Sequence, residues 1–305
     1  MKKNKVLITT SKFAEFDKSP LEILEKNNFE YLLNPYERKL TKAEFIKLQP
    51  GFNCVLAGLE NLDDEVFRSS NLEVISRVGV GMNNINLESA KKHNIAVYNT
   101  PLGPTQSVAE ITVGALLSLL RNIPQANNDL HNKKWKKSYG NLLYKKNLLF
   151  IGFGNIAKKI NELLKPFNLD IIIFDPFISS NSLKEIKSFD SLHEALPYAD
   201  IISINTSSTD ELLSSKEFDL MKDGVFILNS SRGEVINEIS FEEYLRNKKI
   251  AGAWLDVFWE EPYKGSLANY DNVILTPHIG SYTLEGRTSM ETTAVENLIN
   301  HFNEK

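Results

Sequence analysis

Cysteine is almost missing from this chain of 305 residues. Cys54 stands alone, which excludes an internal disulfide framework and a cysteine-rich zinc site. Its simplest role is that of a small buried apolar residue. Neither sign of charge dominates: 35 basic and 39 acidic residues leave −4 at pH 7, without the basic excess of a general nucleic-acid binder. Arginine is scarce, with seven in the chain, so a site that needs a guanidinium has few to draw on. No apolar run reaches the length of a membrane span. The opening MKKNKVLITT runs straight into a short apolar strand, without the long apolar region and cleavage site of a signal peptide. Internal repeats and low-complexity tracts are also missing. The expectation is a cytoplasmic protein that partners with neither nucleic acid nor membrane and holds no metal.

What is there is an alternation. The length favours two domains. Short β-like runs (Val6–Thr9, Phe29–Leu33, Cys54–Ala57, Leu72–Ser76, Ala96–Tyr98) alternate with amphipathic stretches (Pro20–Lys26, Lys42–Leu48, Asp63–Ser69, Leu87–His93). Such alternation predicts a parallel sheet covered on both faces, with ligands beyond the carboxyl ends of its strands. The loops Gly58-Leu59-Glu60 and Gly79-Val80-Gly81 fall there. Thr100–Pro104 breaks the pattern with two prolines and a glycine, and the apolar segment Ser107–Leu120 follows. It reads as a helix buried between domains or subunits, or as a core helix of one domain. His131–Lys146, basic around Trp135, reads as a surface connection.

Residues 148–156 are LLFIGFGNI, followed by AKKINELLKPF and LDIIIFDP. This is strand, glycine turn, helix, strand and acid. Gly152 allows a tight turn, Gly154 lets backbone approach a pyrophosphate, and Ala157 permits close helix–strand packing. The helix N-terminus supplies free N–H groups and a partial positive charge. Asp175 ends the second strand, where its carboxylate can accept from ribose hydroxyls and would repel a 2′-phosphate. The expected cofactor is NAD. Further strands, Asp200–Ile204, Val225–Asn229, Ile250–Leu255 and Val273–Leu275, complete a doubly wound domain.

Three polar clusters sit at the ends of these later strands: NSSRGEV with Arg232, LDVFWEEP with Asp256, Glu260 and Glu261, and TPHIGS with His278. Each residue alone has an ordinary structural reading as a cap, a solvated acid or a core histidine. Together at strand ends, an arginine, a carboxylate and a histidine suit oxidation of an alcohol beside a carboxylate. The histidine takes the hydroxyl proton, a carboxylate orients it and favours its charged form, and the arginine holds the substrate carboxylate. The other histidines, His93, His131, His193 and His301, fall on predicted helix or loop surfaces.

With SRVGVGMNNINLESA, VYNTPLGPTQSVAE, IGFGNIAKKI with FDP, NSSRGEVIN, AWLDVFWEEP and LTPHIGS in that order, the chain resembles the D-isomer-specific 2-hydroxyacid dehydrogenase family, nearest its phosphoglycerate dehydrogenase branch. The resemblance implies two α/β domains. One is a flavodoxin-like substrate domain of residues 1–99 with 285–305, and the other a Rossmann NAD-binding domain of residues 100–284. It implies Arg232, Glu261 and His278 as catalytic residues. Gly152, Gly154, Asn155, Ile156, Asp175, Thr206, Ser207, Ser230, Asp256, His278 and Gly280 would bind the cofactor, with Asp256 on the nicotinamide carboxamide. Val80, Gly81, Arg77 and Arg232 would bind a 2-hydroxy or 2-keto acid. A homodimer is implied through the Val108–Leu120 region.

Some positions depart from the family pattern. Asn83 replaces the aspartate of GVGxDN, Asn155 the arginine of GxGRIG, and Ser207 a proline. The loop where the phosphoglycerate branch carries an arginine reads Ala57-Gly58-Leu59-Glu60, which leaves Arg77 and Arg38 as candidates for a substrate phosphate. Arg77 could equally form a salt bridge at a sheet edge. Three readings follow: a 3-phosphoglycerate dehydrogenase, a dehydrogenase of an unphosphorylated 2-hydroxy acid, and a catalytically silent NAD-sensing protein. The intact Arg232, Glu261 and His278 speak against the last.

Overall fold

The computed structural model describes residues 3–178 and 186–304. The chain divides into two units, one running to Pro104 and resuming at Tyr282, the other spanning Thr105–Ser281.

The first unit is built on β1 (Lys5–Ile8), α1 (Ser19–Lys26), β2 (Glu30–Leu33), α2 (Lys42–Leu48), β3 (Cys54–Ala57), α3 (Asp64–Arg68), β4 (Val74–Arg77), α4 (Leu87–Lys92) and β5 (Ala96–Tyr98). Its five strands pair in the order β2-β1-β3-β4-β5, every pair parallel. All four residues of β3 are buried, the mark of a strand covered on both faces. Alternate side chains feed two cores: Val6, Ile8, Cys54, Leu56 and Val74 on one side, Leu7, Val55, Ala57 and Ile75 on the other. Cys54 is thus a core residue. The helices start where the sequence offers caps. Thr41 and Glu44 form a capping box on α2, and Asp63 and Asn86 cap α3 and α4.

The second unit contains α5 (Thr105–Leu120), α6 (Ile123–His131), β6 (Asn147–Ile151), α7 (Asn155–Leu164), β7 (Asp170–Phe174), β8 (Lys187–Phe189), α8 (Leu192–Ala195), β9 (Ile201–Ile204), α9 (Ser215–Leu220), β10 (Val225–Asn229), α10 (Glu238–Arg246), β11 (Ile250–Leu255) and β12 (Val273–Leu275). Its parallel sheet has the order β12-β11-β10-β9-β6-β7-β8. The chain leaves β6 first towards β7 and later returns to its other side at β9. The switch point, where such sheets bind ligands, therefore lies between β6 and β9. The short edge strand β8 was not expected, because KSF is too brief and too polar to show a strand period. Ala109, Ala115, Leu116 and Leu120 of α5 enter the core of this same unit with Phe150, Ile160 and Trp254, so one face of the helix is an intradomain face. The final helix, α11 (Leu284–Asn303), belongs to the first unit, where Met290, Ala294, Val295 and Leu298 join its core.

The first unit holds on to residues 100–104 for local reasons. Thr100 Oγ1 accepts from Gly79 N at 2.8 Å, the Thr100 amide donates to Gly79 O at 3.1 Å, and a β-carbon on Gly103 would run into Met290. Among the described residues, no helix is long and apolar enough to cross a membrane.

Candidate active site

The glycine turn lies between β6 and α7. Gly152 has φ +86°, and a β-carbon there would sit 2.8 Å from the Asn205 carbonyl oxygen, so only glycine fits. Gly154 is the N-cap of the ten-residue α7, with no side-chain cap on the helix, and a β-carbon on it would meet nothing within 4 Å. The first amides of α7 therefore face an open cradle, as a pyrophosphate requires. Asn155 is exposed and Ile156 half-buried in this first turn. Asp175 follows β7. Its Oδ2 accepts from Phe153 N at 2.8 Å and its Oδ1 from Phe177 N at 2.9 Å, which fixes the carboxylate beside the turn with lone pairs to spare for hydroxyls. Across the switch point, Asn205 Oδ1 is a buried acceptor with no hydrogen-bond partner among the described residues. Thr206 holds the next turn by accepting from Ser208 N at 3.1 Å, while Ser207 is exposed. An orphan acceptor, a free helix start and a cradle without a β-carbon together fit a dinucleotide.

The polar clusters after β10, β11 and β12 are placed by backbone contacts. Asn229 closes the loop after β10: its Nδ2 donates to Arg232 O at 2.7 Å, and its Oδ1 accepts from Ser231 N at 3.0 Å and Ser231 Oγ at 2.8 Å. Arg232 is half-buried and donates from Nη1 to Ser231 O at 2.6 Å, and Ser230 is half-buried in the same loop. A β-carbon on Gly233 would overlap the Phe258 carbonyl, so the arginine loop lies directly on the segment leading to Glu261. Glu261 Oε1 accepts from Phe258 N at 3.2 Å, and His278 Nδ1 lies 3.1 and 2.8 Å from Oε1 and Oε2. An ionised carboxylate only accepts, so Nδ1 carries the hydrogen and donates it, which leaves Nε2 as the free acceptor of a neutral ring. The pair is half open to solvent, with side-chain exposures of 53% for His278 and 39% for Glu261.

His278 has a left-handed backbone, φ +53°. For a side-chain-bearing residue this costs about 1–3 kcal/mol. The compensation is Asp256, which is 1% exposed and accepts from Thr276 Oγ1 at 2.6 Å, Ile279 N at 2.9 Å and Gly280 N at 2.7 Å. Hydrogen bonds to a charged group contribute roughly 1.5–3 kcal/mol each, the same scale as the strain they offset. The carboxylate expected to face the cofactor is in this structure turned to the loop that carries the histidine.

The first unit places its sequence-predicted residues differently. Arg77 ends β4, which lies between β3 and β5 in the sheet. Its Nη1 donates to the Val78 carbonyl, and the side chain folds across Gly79, whose β-carbon it would overlap. Glu60, the acid of the loop after β3, is fully buried. It accepts from Thr9 Oγ1 and from Gly58 N at 3.1 Å. Burial pushes its carboxyl above the usual range, against the Thr9 and Gly58 hydrogen bonds and the positive charge of Arg77. Arg38 is spent on Glu44, at 2.7 and 3.0 Å. Val80 is exposed and Gly81 half-buried, and among the described residues neither amide donates a hydrogen bond. Asn99 Nδ2 donates to Val80 O at 2.8 Å. Asn99, Thr100, Gly233, Thr276 and Trp254 all hold site loops, and sequence reasoning gave none of them a role. The one available signal was that each falls inside a quoted motif or one residue from it.

The remaining histidines lie elsewhere: His93 on Asp64 at 3.0 Å, His193 on Glu217 at 2.8 Å and His301 beside Tyr98 at 3.2 Å, with His131 ending α6. Among the described residues, no group of three or more His, Cys, Asp or Glu side chains gathers as a metal site.

A doubly wound parallel sheet with a glycine turn, an uncapped helix start and an acid after the second strand defines a dinucleotide-binding domain. The model of the D-isomer specific 2-hydroxyacid dehydrogenase NAD-binding domain matches residues 113–280. Hydroxypyruvate reductase of Thermotoga maritima is 33% identical over 292 residues, covering 90% of this chain and 94% of that protein. D-3-phosphoglycerate dehydrogenase of Bacillus subtilis is 35% identical over 244 residues, covering 78% of this chain and 46% of that protein. A solved structure of a Thermus thermophilus protein superposes with a TM-score of 0.88 at 28% identity, covering 99% of this chain and 97% of that one. The chain belongs to the D-isomer specific 2-hydroxyacid dehydrogenase family, and its second unit carries the NAD-binding domain. It spans about half the length of the curated phosphoglycerate dehydrogenases it matches.

Proposed function

We propose that the chain is an NAD-dependent oxidoreductase that interconverts a D-2-hydroxy acid and its 2-keto acid. The observation that carries this reading is the His278–Glu261 pair, with Nδ1 committed to the carboxylate and Nε2 left free, after the last strand of the parallel sheet that also carries the dinucleotide-binding turn. NAD supplies the hydride acceptor or donor. In oxidation, His278 Nε2 takes the hydroxyl proton and Glu261 stabilises the resulting imidazolium. In reduction the imidazolium returns it. Arg232 holds the substrate carboxylate and polarises the carbonyl oxygen. The first turn of α7 with Gly152 and Gly154 takes the pyrophosphate, and Asp175 the adenosine ribose, which favours NAD over NADP. Thr206, Ser207, Ser230 and Gly280 complete the cofactor contacts, and the peptide groups of Val80 and Gly81 receive the substrate carboxylate. In this reading the first unit is the substrate domain and the second the NAD-binding domain.

Two substrate readings remain. The B. subtilis relative is named for 3-phosphoglycerate. The commitments of Arg77 to Val78 and Arg38 to Glu44 favour an unphosphorylated 2-keto acid instead. The deciding experiment follows NADH consumption against a panel of 2-keto acids that includes 3-phosphohydroxypyruvate. No turnover with any of them sinks the dehydrogenase reading in favour of a silent NAD-binding protein. A large preference for the phosphorylated acid sinks the unphosphorylated one. A homodimer through the Val108–Leu120 region is part of the proposal. It is supported by the exposed Trp135 and Tyr139 beyond α6. A monomeric sedimentation profile would remove it. A cytoplasmic location belongs to the same reading.

A further inference from the structure

We propose that Thr276 is a positioning residue, which through Asp256 clamps the left-handed turn that carries His278. A threonine hydroxyl has one hydrogen to give. The Trp254 indole N–H donates to Thr276 Oγ1 at 3.0 Å, so the hydroxyl hydrogen is directed at Asp256 Oδ1, 2.6 Å away. The same carboxylate accepts from Ile279 N and Gly280 N, the two amides immediately after the histidine. The Thr276 carbonyl accepts from His278 N at 2.9 Å. Thr276 therefore grips the turn twice, once through its own carbonyl and once through the carboxylate it fixes. Gly280 closes the arrangement, since a β-carbon there would stand 2.9 Å from Asp256 Oδ2. The anchor behind it is rigid: Trp254 is fully buried in β11 and Asp256 is 1% exposed. Their effect on the chemistry runs through the direction in which the imidazole is held, and an ångström of misplacement at such a group is costly.

The inference rests on the proton-transfer role given to His278. It is tested on the full chain with NADH bound, comparing native protein with Thr276→Val, Thr276→Ser and Trp254→Phe. Three quantities are read: kcat and KM for keto-acid reduction, NADH affinity by fluorescence, and hydrogen exchange of the Ile279 and Gly280 amides. Thr276→Val should lower kcat by about 10–100-fold. NADH affinity should hold within about threefold, the split that marks a loss felt in the chemical step. The two amides should exchange faster. Thr276→Ser, which keeps the hydroxyl, should restore both. Trp254→Phe, which removes the donor that directs the hydroxyl along with part of a buried ring, should show the same signature more weakly and serves as the test where Thr276→Val does not fold. Unchanged amide exchange, or a loss seen only as weaker NADH binding, overturns the proposal. Native protein that reduces no 2-keto acid sinks the functional reading, while the exchange data still decide whether the clamp exists.

Discussion

The carboxyl ends of the two sheets are built on opposite plans. In the second unit, titratable side chains stay accessible: His278 and Glu261 are half open and Asp175 is fixed with acceptor capacity to spare. Their positions are secured from below by buried groups such as Asp256 and Asn229. In the first unit the charges go inward. Glu60 is buried and Arg77 lies folded against its own loop, while the backbone of Val80 and Gly81 is what faces outward. In the proposed reading one end moves protons with side chains, and the other recognises an anion with peptide groups. The difference teaches that a charged residue at a strand end is a reactive candidate only when something else bears the structural load.

Substitutions can break or sharpen that contrast. The largest effect belongs to His278→Ala, which should lower kcat by ~10²–10⁴ and leave NADH binding by fluorescence near native. Near-native kcat would move the proton transfer to another group. Next is Asp175→Asn, which removes a negative charge facing a 2′-phosphate. It should narrow the preference for NAD over NADP by on the order of 10–100-fold in kcat/KM, since opposed like charges cost several kcal/mol. An unaltered preference would return Asp175 to a purely structural role on Phe153 and Phe177.

Arg77→Ala should act through the loop. Losing one charge-assisted hydrogen bond, roughly 1.5–3 kcal/mol before the loop relaxes, should raise KM for phosphorylated and unphosphorylated keto acids alike, by about 3–10-fold. A rise confined to the phosphorylated acid would show that the guanidinium reaches the substrate after all. The smallest effect concerns Glu60. Its carboxyl is held above the usual range, so the folded chain retains a proton that the unfolded chain releases from about pH 4.3 upward. Stability should therefore decline with rising pH from that point until the raised folded value is passed. Glu60→Gln should flatten this part of the Tm–pH curve. Glu291, also raised by burial, is common to both proteins and cancels in the difference. Parallel curves would count against Glu60 as the titrating group.

Much of the fold was legible because both sheets are parallel and their strands read as unbroken apolar runs between helical patterns. Strand ends proved harder. The sequence reading stops the fourth strand at Ser76, whereas β4 includes Arg77, and that one residue changes what its side chain can do. The dinucleotide turn was readable because glycine, spacing and acid are each sterically or electrostatically demanded. The clamp on the histidine was not readable, because Thr276, Trp254 and Asp256 meet only across β11 and β12. The inward turn of Glu60 was likewise invisible, since its partner Thr9 is supplied by another strand's end. Periodicity and motif spacing report what a residue does along the chain. They are silent on which neighbour a buried carboxyl finds.

The plain peptide groups of Val80 and Gly81 carry a consequence for how this protein can change. In the proposed reading the recognition surface is made of N–H groups with no side chain to delete, so alanine at Val80 would pass over it. The sensitive point is Gly79, at φ +137° beneath the folded Arg77. A side chain there would displace Arg77 and the loop together, so in the proposed reading substrate preference would drift through glycines and loop lengths before any charged residue is exchanged.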